Sequence, residues 1–486
     1  MTTRTTSTAV VVGGGAGGLA AALTLRRAGL QVTLCEASPT LGGLAQAFVD
    51  DGDGDAPPLR FDGGPYLLLD PIGLAWAFEQ LHLSLEPLAL QAVDDVYSVE
   101  RADGPTLRLT SSLDETARGL EDAYAGQGDR YRAFVEKTAR VHTALAPVQT
   151  RSHPGPLALL RAGALRHAPF LIAPLGKIFA DAGFHPVVQD ALGIWTHVAG
   201  QRLADAPSPL GLVPALIHTH GCFVPKSGPR GGGVGAVVDV VEAAVRAAGV
   251  VVRTSTRVQR IQSDHRRVTG VLLESGEALP ADVVVSDASG VATLLELADT
   301  TASTKKRVAS LPLQSPGVAA YVRAKRSPQG PYLRFCLRPD DDVAPSRLLV
   351  RPSLLDPSSS SFPTRIVAPL SHDVATTLGE AGQEALLDRL LEEAFVKEGV
   401  GDFDVVRRRV PASWGRAHTL HRDSMNPVMT AQFMRQGRLP HRVPDVDGLF
   451  LVGSSTHPGQ WVSFCLISGV LGARAALASG GVDVDD

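Results

Sequence analysis

The sequence predicts an α/β fold: a discontinuous Rossmann-like domain joined to a mixed α+β second domain. Three observations predict it. Residues 9–36 run as a β-rich apolar stretch, a glycine turn, an Ala/Leu-rich helix and a second β-rich stretch. Residues 226–289 carry a Gly-rich turn, an Ala/Val helix and three strand-like runs. The C-terminus returns to a short apolar run, another glycine turn and a helix of small residues. Strand and helix signals alternating over such lengths are the pattern of a parallel α/β architecture.

Taken in order, the first eight residues read as a polar tail. Residues 9–12 are predicted as a buried strand, 17–28 as a helix closed by Gly29, and 31–35 as a second strand, which completes one βαβ unit. Residues 50–58 form an acidic Gly/Pro-rich loop, and 76–148 read as mainly helical. Residues 151–183 stand apart as a basic and apolar stretch. The turn at 226–235 precedes a helix over 237–248, then strands in VVVRTSTRVQRIQ, RVTGVLLESG and ADVVVSDAS. Short strands and helices mix over 301–440, with a Ser/Pro loop near 357–363. Residues 449–452 are predicted as a strand and 463–478 as a helix. The Rossmann-like domain then takes 1–75, 210–300 and 441–486, and the second domain 76–209 and 301–440.

Composition narrows the class. Apolar residues are 44% of 486, enough for a sizeable core, and the net charge of −4 does not describe a general nucleic-acid binder. A mean hydropathy of +0.08 fits contact with an apolar ligand or a membrane, and equally a large core. Cys35, Cys222, Cys336 and Cys465 are far apart and form no C-x-x-C pair, so neither a disulfide framework nor a zinc site is expected and a reducing, cytoplasmic setting is the default. No signal peptide and no run of 18 uninterrupted apolar residues is read, so no transmembrane helix is expected. The run DDGDGD opens like a calcium loop, but the sixth residue from Asp51 is Ala56 rather than Gly, and a hairpin loop is expected instead. His218 and His220 on one side of a strand, and His418 and His421 on one side of a helix, are spacings that fourteen histidines produce by chance, and no metal site is expected.

Gly13, Gly15 and Gly18 fit G-x-G-x-x-G, with Ala16 between them. The first permits the tight turn, the second lets a pyrophosphate approach the backbone, and the third lets helix and strand pack closely. The helix that follows directs its N-terminal N–H groups and positive dipole end at the phosphates. Glu36, at the end of the second strand, can accept both ribose hydroxyls and would repel a 2′-phosphate. Strand before and helix after make this a dinucleotide site without deciding which dinucleotide.

Further blocks decide it by resemblance. EASPTLGGLAQAF (36–48) resembles the segment after the ribose carboxylate in the amine oxidase and phytoene desaturase group of flavoproteins, which implies FAD. There the Gly42–Gly43 pair brings backbone to the pyrophosphate from the other side. RFDGGP (60–65), with Gly64, resembles the group's F-D-x-G-P turn, and PRGGGVGAVVDVVEAAVRAAG (229–249) resembles its P-x-G-G helix entry. TRVQRI, VTGVLLESGE and ADVVVSDAS resemble its FAD-domain strands, in which Val258 lies against the adenine. Residues 447–476 resemble the C-terminal FAD motif of carotenoid desaturases. That motif places Gly453 and Ser454 near the ribityl phosphate and Trp461, Val462 and Ser463 near the flavin ring. THPG and the closing helix are similar to the bacterial phytoene desaturase-type branch. The resemblance runs in order over most of the chain and is poorest over 301–440. Two departures stand out: Leu44 where the family often has Arg, and Gln460–Trp461 where it usually has a small Gly/Ala pair.

The implied reaction is carotenoid desaturation. It removes a hydride and a proton, and no side chain accepts a hydride, so the flavin must. An allylic cation delocalises over a polyene, so no strong acid or base is demanded and no catalytic residue is singled out. Oxygen or a quinone is the expected electron acceptor, since no second nucleotide motif is present. The substrate is an apolar polyene: phytoene, or a late-pathway carotenoid desaturated at a 3,4-type bond, which Gln460 and Trp461 favour. At about 25 cal/mol per Å² such a substrate gains as much from lipid as from protein, so the enzyme is expected to work at the membrane surface. The expected contact is 151–183, with Arg151, Arg161, Arg166 and Lys177 and no acid before Asp181; the alternative is a core helix pair with solvated basic edges. Other readings are a carotenoid ketolase, a polyene isomerase, an amine oxidase (whose aromatic cage would have only Trp461), and a non-catalytic prenyl chaperone resembling the Rab-binding escort proteins, which lack the full C-terminal motif. Asp62 is expected to hold its own turn, Arg230 to meet phosphate or solvent, and His457 to hydrogen-bond within its loop.

Overall fold

The computed structural model describes residues 7–52, 57–102, 104–151, 156–327, 330–338, 340–350, 361–396 and 400–480. Its first sheet is built from segments far apart in the chain. β1 (Thr8–Val12), α1 (Ala16–Arg27) and β2 (Gln31–Cys35) form the opening βαβ unit, much as its pattern predicts. α2 (Gly235–Ala247) leads to β3 (Val251–Arg253), then come β4 (Val283–Ser286) and β5 (Leu449–Leu451), and α3 (Val462–Ser479) closes the chain. The sheet order is β5–β4–β1–β2–β3, all parallel.

Register decides where the site can form. Val12 pairs with Cys35 on one side and Ser286 on the other, and Ser286 pairs with Leu451. The strand ends are therefore level, and the residues that follow them, Gly13, Glu36, Asp287 and Val452–Gly453, emerge along one carboxyl edge. The chain turns to one side of β1 through α1 and β2, and to the other through β4 and β5. The crevice between β1 and β4 is thus a topological switch point, where open α/β sheets bind ligands.

Helix α1 ends as its sequence predicts. The Gly29 N–H donates to Arg26 O and the Leu30 N–H to Leu25 O, with Gly29 at φ 91°, a Schellman closure that only glycine adopts without strain. Leu19, Leu23 and Leu25 are fully buried, each worth roughly 1.5–3 kcal/mol. The face of α1 toward α3 is made of small residues. A Cβ at Gly469 would lie 2.7 Å from the Ala20 Cβ, so the two backbones approach as closely as they do because neither carries bulk. α3 is long and apolar enough to cross a bilayer, but it lies in the core, with Leu466, Ile467, Val470 and Leu471 buried.

The second sheet has seven strands, ordered Phe403–Arg409, Val318–Ala324, Phe362–Ala368, Ser346–Val350, Leu333–Leu337, Asp95–Arg101 and Leu107–Thr110. Two of these correct the mainly helical expectation over 76–148. Asp95–Arg101 is a strand parallel to Leu333–Leu337. Its residues Val96 to Val99 are all buried, so no polar–apolar alternation marks it as β. The helices expected there do form farther on, at Leu113–Ala123 and Gln127–Gln149. His218 lies on the helix Val213–Thr219 rather than a strand, bonded to the Tyr131 hydroxyl at 2.7 Å, while His220 meets His142 at 3.4 Å. Residues 53–56 of the acidic run and 357–360 of the Ser/Pro loop lie outside the described residues.

Candidate functional site

The fingerprint loop closes at the carboxyl edge of β1. Gly13 sits at φ 96°, a left-handed conformation that favours glycine, and its N–H donates to Cys35 O at 2.8 Å. Gly15 is the N-cap of α1, with no side chain capping the helix, and Ala16 opens it. Gly18 packs on the Gly13 carbonyl, where a Cβ would overlap it. Glu36 is buried and turned into this loop. Its Oε2 accepts the Gly14 N–H and its Oε1 the Ser38 N–H, both at 2.7 Å. Thr256 N donates to Glu36 O, which brings Val258, two residues on, into the same edge, buried at the start of the strand Val258–Asp264.

The second glycine pair lies directly against the first. Gly42 N donates to Gly14 O at 2.7 Å, and a Cβ on Gly43 would stand 3.2 Å from the Gly15 Cα. Leu44 continues from there in a single turn of 3-10 helix, and its carbonyl is so close under Gly64 that a Cβ on Gly64 would overlap it. The RFDGGP turn is gripped from elsewhere. Arg365 donates to Asp62 O at 3.1 Å, while Arg409 and the Tyr321 hydroxyl donate to Gly63 O. Asp62 does not hold its own turn, as expected from its loop, but accepts the Val234 and Gly235 N–H groups at 2.8 Å at the start of α2. Arg230 is committed to Asp239 and Glu242, so it is an ion-pair partner rather than a free phosphate contact.

At the C-terminal motif, Gly453 is at φ 81° and its N–H donates to Ser468 Oγ at 2.9 Å. Ser454 Oγ donates to Asn426 Oδ1 at 2.5 Å. Trp461 is the N-cap of α3, stacks on Phe464 at 4.8 Å between centroids, and packs against the apolar body that holds Leu69, Tyr97 and Phe335. Val462 and Ser463 are buried, and Ser463 Oγ donates to Asp70 Oδ2 at 3.0 Å. His457 bonds the Val148 and Gln149 carbonyls, both at 3.1 Å, so it ties its loop to the end of Gln127–Gln149.

Four groups at this edge escape sequence reasoning. Asp70 joins the start of α3 to Gln149. Asn426 joins Ser454 to Ser455. Arg438 lies beside Gly459 and Cys465, and burial lowers its pKa to about 10. Asp287 follows β4 and enters the glycine loop itself. Burial, reinforced by the Glu36 charge, raises its carboxyl from 3.8 to about 7 against the pull of the Gly18 and Gly15 amides. Its signal was its place in ADVVVSDAS, an acid at the end of a strand beside β1.

The donor set fits a dinucleotide. α1 begins at the carboxyl edge without a side-chain cap, the glycine loops leave backbone within reach, and a buried carboxylate stands at the end of β2. α3, also uncapped, begins about 10 Å beyond that edge, since Ser468 and Gly469 are the residues level with Gly453 and Gly17. The family described as "NAD(P)-binding Rossmann-like domain" matches residues 11–78. Over 485 residues the chain is 28% identical to a zeta-carotene-forming phytoene desaturase of Myxococcus xanthus, covering 93% of this chain and 90% of that protein. The chain is similar over nearly its whole length to phytoene desaturase-type proteins. It is also 27% identical over 512 residues to a carotenoid 3,4-desaturase of Haloarcula japonica, covering 94% and 96% of the two chains. In three dimensions it is similar to an oxidoreductase from Methanosarcina mazei (TM-score 0.64, 15% identity, 95% and 98% of the two chains) and to putrescine oxidase with bound putrescine (TM-score 0.63, 15% identity, 98% and 99%). The fold is that of these oxidases, and the residues at the carboxyl edge fit a flavin cofactor.

Proposed function

We propose that this chain is an FAD-dependent carotenoid desaturase that extends a conjugated polyene. One observation carries the reading: the start of α3 meets the apolar body around Tyr97 and Phe335 through Trp461, in a chain whose relatives matched over nearly their full length include carotenoid desaturases beside a 4,4'-diapolycopene oxygenase. When bound, FAD supplies the hydride acceptor that desaturation needs. Gly13, Gly15, Ala16 and Gly18 with the start of α1, and Gly42 and Gly43 opposite, would hold its pyrophosphate. Glu36 would accept the ribose hydroxyls through the lone pairs left by Gly14 and Ser38. Val258 would back the adenine, Leu44 and Gly64 would line the turn beside the phosphates, and Gly453, Ser454, Trp461, Val462 and Ser463 would border the ribityl chain and ring.

The chain's own part is to position an allylic C–H and exclude water. Trp461, stacked on Phe464 and bulky, narrows the apolar side of the site. Two adjoining cavities of about 660 and 370 Å³, near Pro174, Leu311 and Phe433, have Asp205, Ser310, Thr430 and Gln432 among their walls. Ala204, Pro312, Ala431 and Leu439 line them as well, so the walls are mixed; Trp461 lines neither, and the polyene is assigned to the apolar body that Trp461 packs against. Electrons leave to oxygen or a quinone.

The membrane contact is assigned to 151–183. Among the described residues, Leu157, Leu160, Leu165 and Ile172 are exposed, the first two at 58% and 59%, whereas Phe170, Leu175 and Phe179 of the same stretch are buried. An apolar outer face beside Arg161 and Arg166 is the composition of a surface-lying segment. Expression in hosts that accumulate successive carotenoid intermediates, with chromatography of the pigments, tests the reaction. A product with one more conjugated double bond from an acyclic, hydroxylated or cyclised precursor is expected; none from any of them overturns the desaturase reading.

A further inference from the structure

Asp287 lies where the cofactor's phosphates are proposed to bind. A Cβ on Gly15 would stand 2.5 Å from its Oδ2, and one on Gly17 2.5 Å from its Oδ1; a Cβ on Gly453 would overlap Oδ1. Three glycines of the two loops are therefore bare because this carboxyl fills the space between them. The Gly15 and Gly18 amides lie near the carboxyl and favour its charged form. It thus stands at the N-terminus of α1, the same positive end that attracts a pyrophosphate. Its own backbone is fixed, with the Asp287 N–H donating to Val12 O at 2.8 Å, so it cannot move away with a loop.

We propose that Asp287 is the proton-responsive floor of the cofactor cradle: as a neutral acid it admits the pyrophosphate of FAD, and as a carboxylate it repels the pyrophosphate from the start of α1. The inference rests on the FAD reading. The charged and titratable groups around it are few. Glu36 faces it from the end of β2, Cys465 from α3, and Arg438 lies beyond Cys465; the fingerprint loop and Gly453–Ser455 contribute none. Burial pushes the Cys465 thiol well above its ordinary value, so it stays neutral. Arg438 donates to Met429 Sδ rather than to the carboxyl, and Leu44 supplies no guanidinium from the opposite loop. A dianionic ligand beside this acid therefore binds together with a proton, and with the free carboxyl titrating at about 7 the affinity falls up to tenfold per pH unit above that point.

The test is FAD affinity of the apoprotein, followed by quenching of flavin fluorescence at pH 6.0 and 8.5 and constant ionic strength, for the wild type and Asp287→Asn. The wild type is expected to bind about 30-fold more weakly at pH 8.5, and the Asp287→Asn protein nearly equally at both. Calorimetry of the wild type at pH 8 in buffers of different ionisation heat should show uptake of about 0.9 proton per FAD, a readout that stands even if the variant misfolds. Equal wild-type affinity at both pH values with no proton uptake, or the same pH slope in the variant, overturns the inference and leaves the FAD reading intact. No FAD binding by either protein at pH 6 overturns both.

Discussion

Replacing Asp70 should loosen the joint between the two halves of the site. Its Oδ1 accepts the Gly73 N–H at 3.0 Å and so caps the helix Pro71–Gln80, while its Oδ2 accepts Gln149 Nε2 at 2.8 Å and Ser463 Oγ at 3.0 Å. Asp70→Ala removes an N-cap, about 1 kcal/mol, and leaves two partners at a buried site without their acceptor, about 1–3 kcal/mol each. Shared contacts keep the sum from being additive, so a loss of about 3–5 kcal/mol is expected. Asp70→Asn keeps one carbonyl acceptor for Gly73, and the Ser463 hydroxyl can turn to accept from the new amide, so about 1–2 kcal/mol is expected. Urea denaturation followed by Trp fluorescence measures both, since Trp461 packs on the apolar body that this joint positions. An Asp70→Ala protein within about 1 kcal/mol of wild type, or no less stable than Asp70→Asn, would refute the claim that this carboxylate ties α3 to Gln149.

Glu36→Gln keeps the size of the side chain but loses the charge that receives Gly14 and Ser38; FAD affinity should fall about tenfold or more, at roughly 1.5–3 kcal/mol for hydrogen bonds to a charged group, as read by equilibrium dialysis. Gly469→Val puts bulk 2.7 Å from Ala20 and should destabilise by about 1–3 kcal/mol from overpacking alone, visible as a lowered Tm. Asp287 has its folded pKa raised from 3.8 to about 7, so its contribution to stability is fully present below pH 3.8 and is lost as pH rises through 7. At 1.36 kcal/mol per unit that loss is at most about 4 kcal/mol, and nearer 2–4 because the residue is partly accessible. Relative to wild type, the apo form of Asp287→Asn should gain that much stability between pH 4.5 and 8, and a difference independent of pH would contradict it. Leu157→Glu with Leu160→Glu should abolish sedimentation with anionic liposomes at low salt while leaving thermal stability unchanged, because both side chains are exposed.

Local signals were legible where one segment determines its own structure. The βαβ unit, its Gly29 closure and α3 appear within a residue or two of where the patterns place them. Asp95–Arg101 was not legible, because a strand buried on both faces shows no alternation and is told from a helix only by its partner, Leu333–Leu337, more than two hundred residues away. The site divided the same way. Gly13 and Gly15 belong to a motif with a local mechanism, whereas Asp62 reads as a turn residue until α2 brings Val234 and Gly235 onto its carboxylate. Asp70, Asn426 and Arg438 belong to no motif, and their meaning exists only once distant segments meet.

The glycine loop now reads differently from the motif alone. In the bare pattern, Gly15 is a glycine so that a phosphate can approach; here a side chain at Gly15 would first meet Asp287. The positive side of the cradle at the phosphates is one helix N-terminus, that of α1, worth about half a charge, with Arg438 bonded to Met429 and Leu44 apolar. The negative side is two carboxyl groups, Glu36, which accepts two amides, and Asp287, set against Gly15 and Gly17. Half a charge cannot balance two carboxylates and a dianion where partial burial leaves charge interactions less screened than in bulk water. Glu36 is held as an acceptor for hydroxyls, so the proton that restores balance belongs on Asp287. On the proposed reading, affinity for FAD depends on the acid beneath the fingerprint as well as on the fingerprint itself.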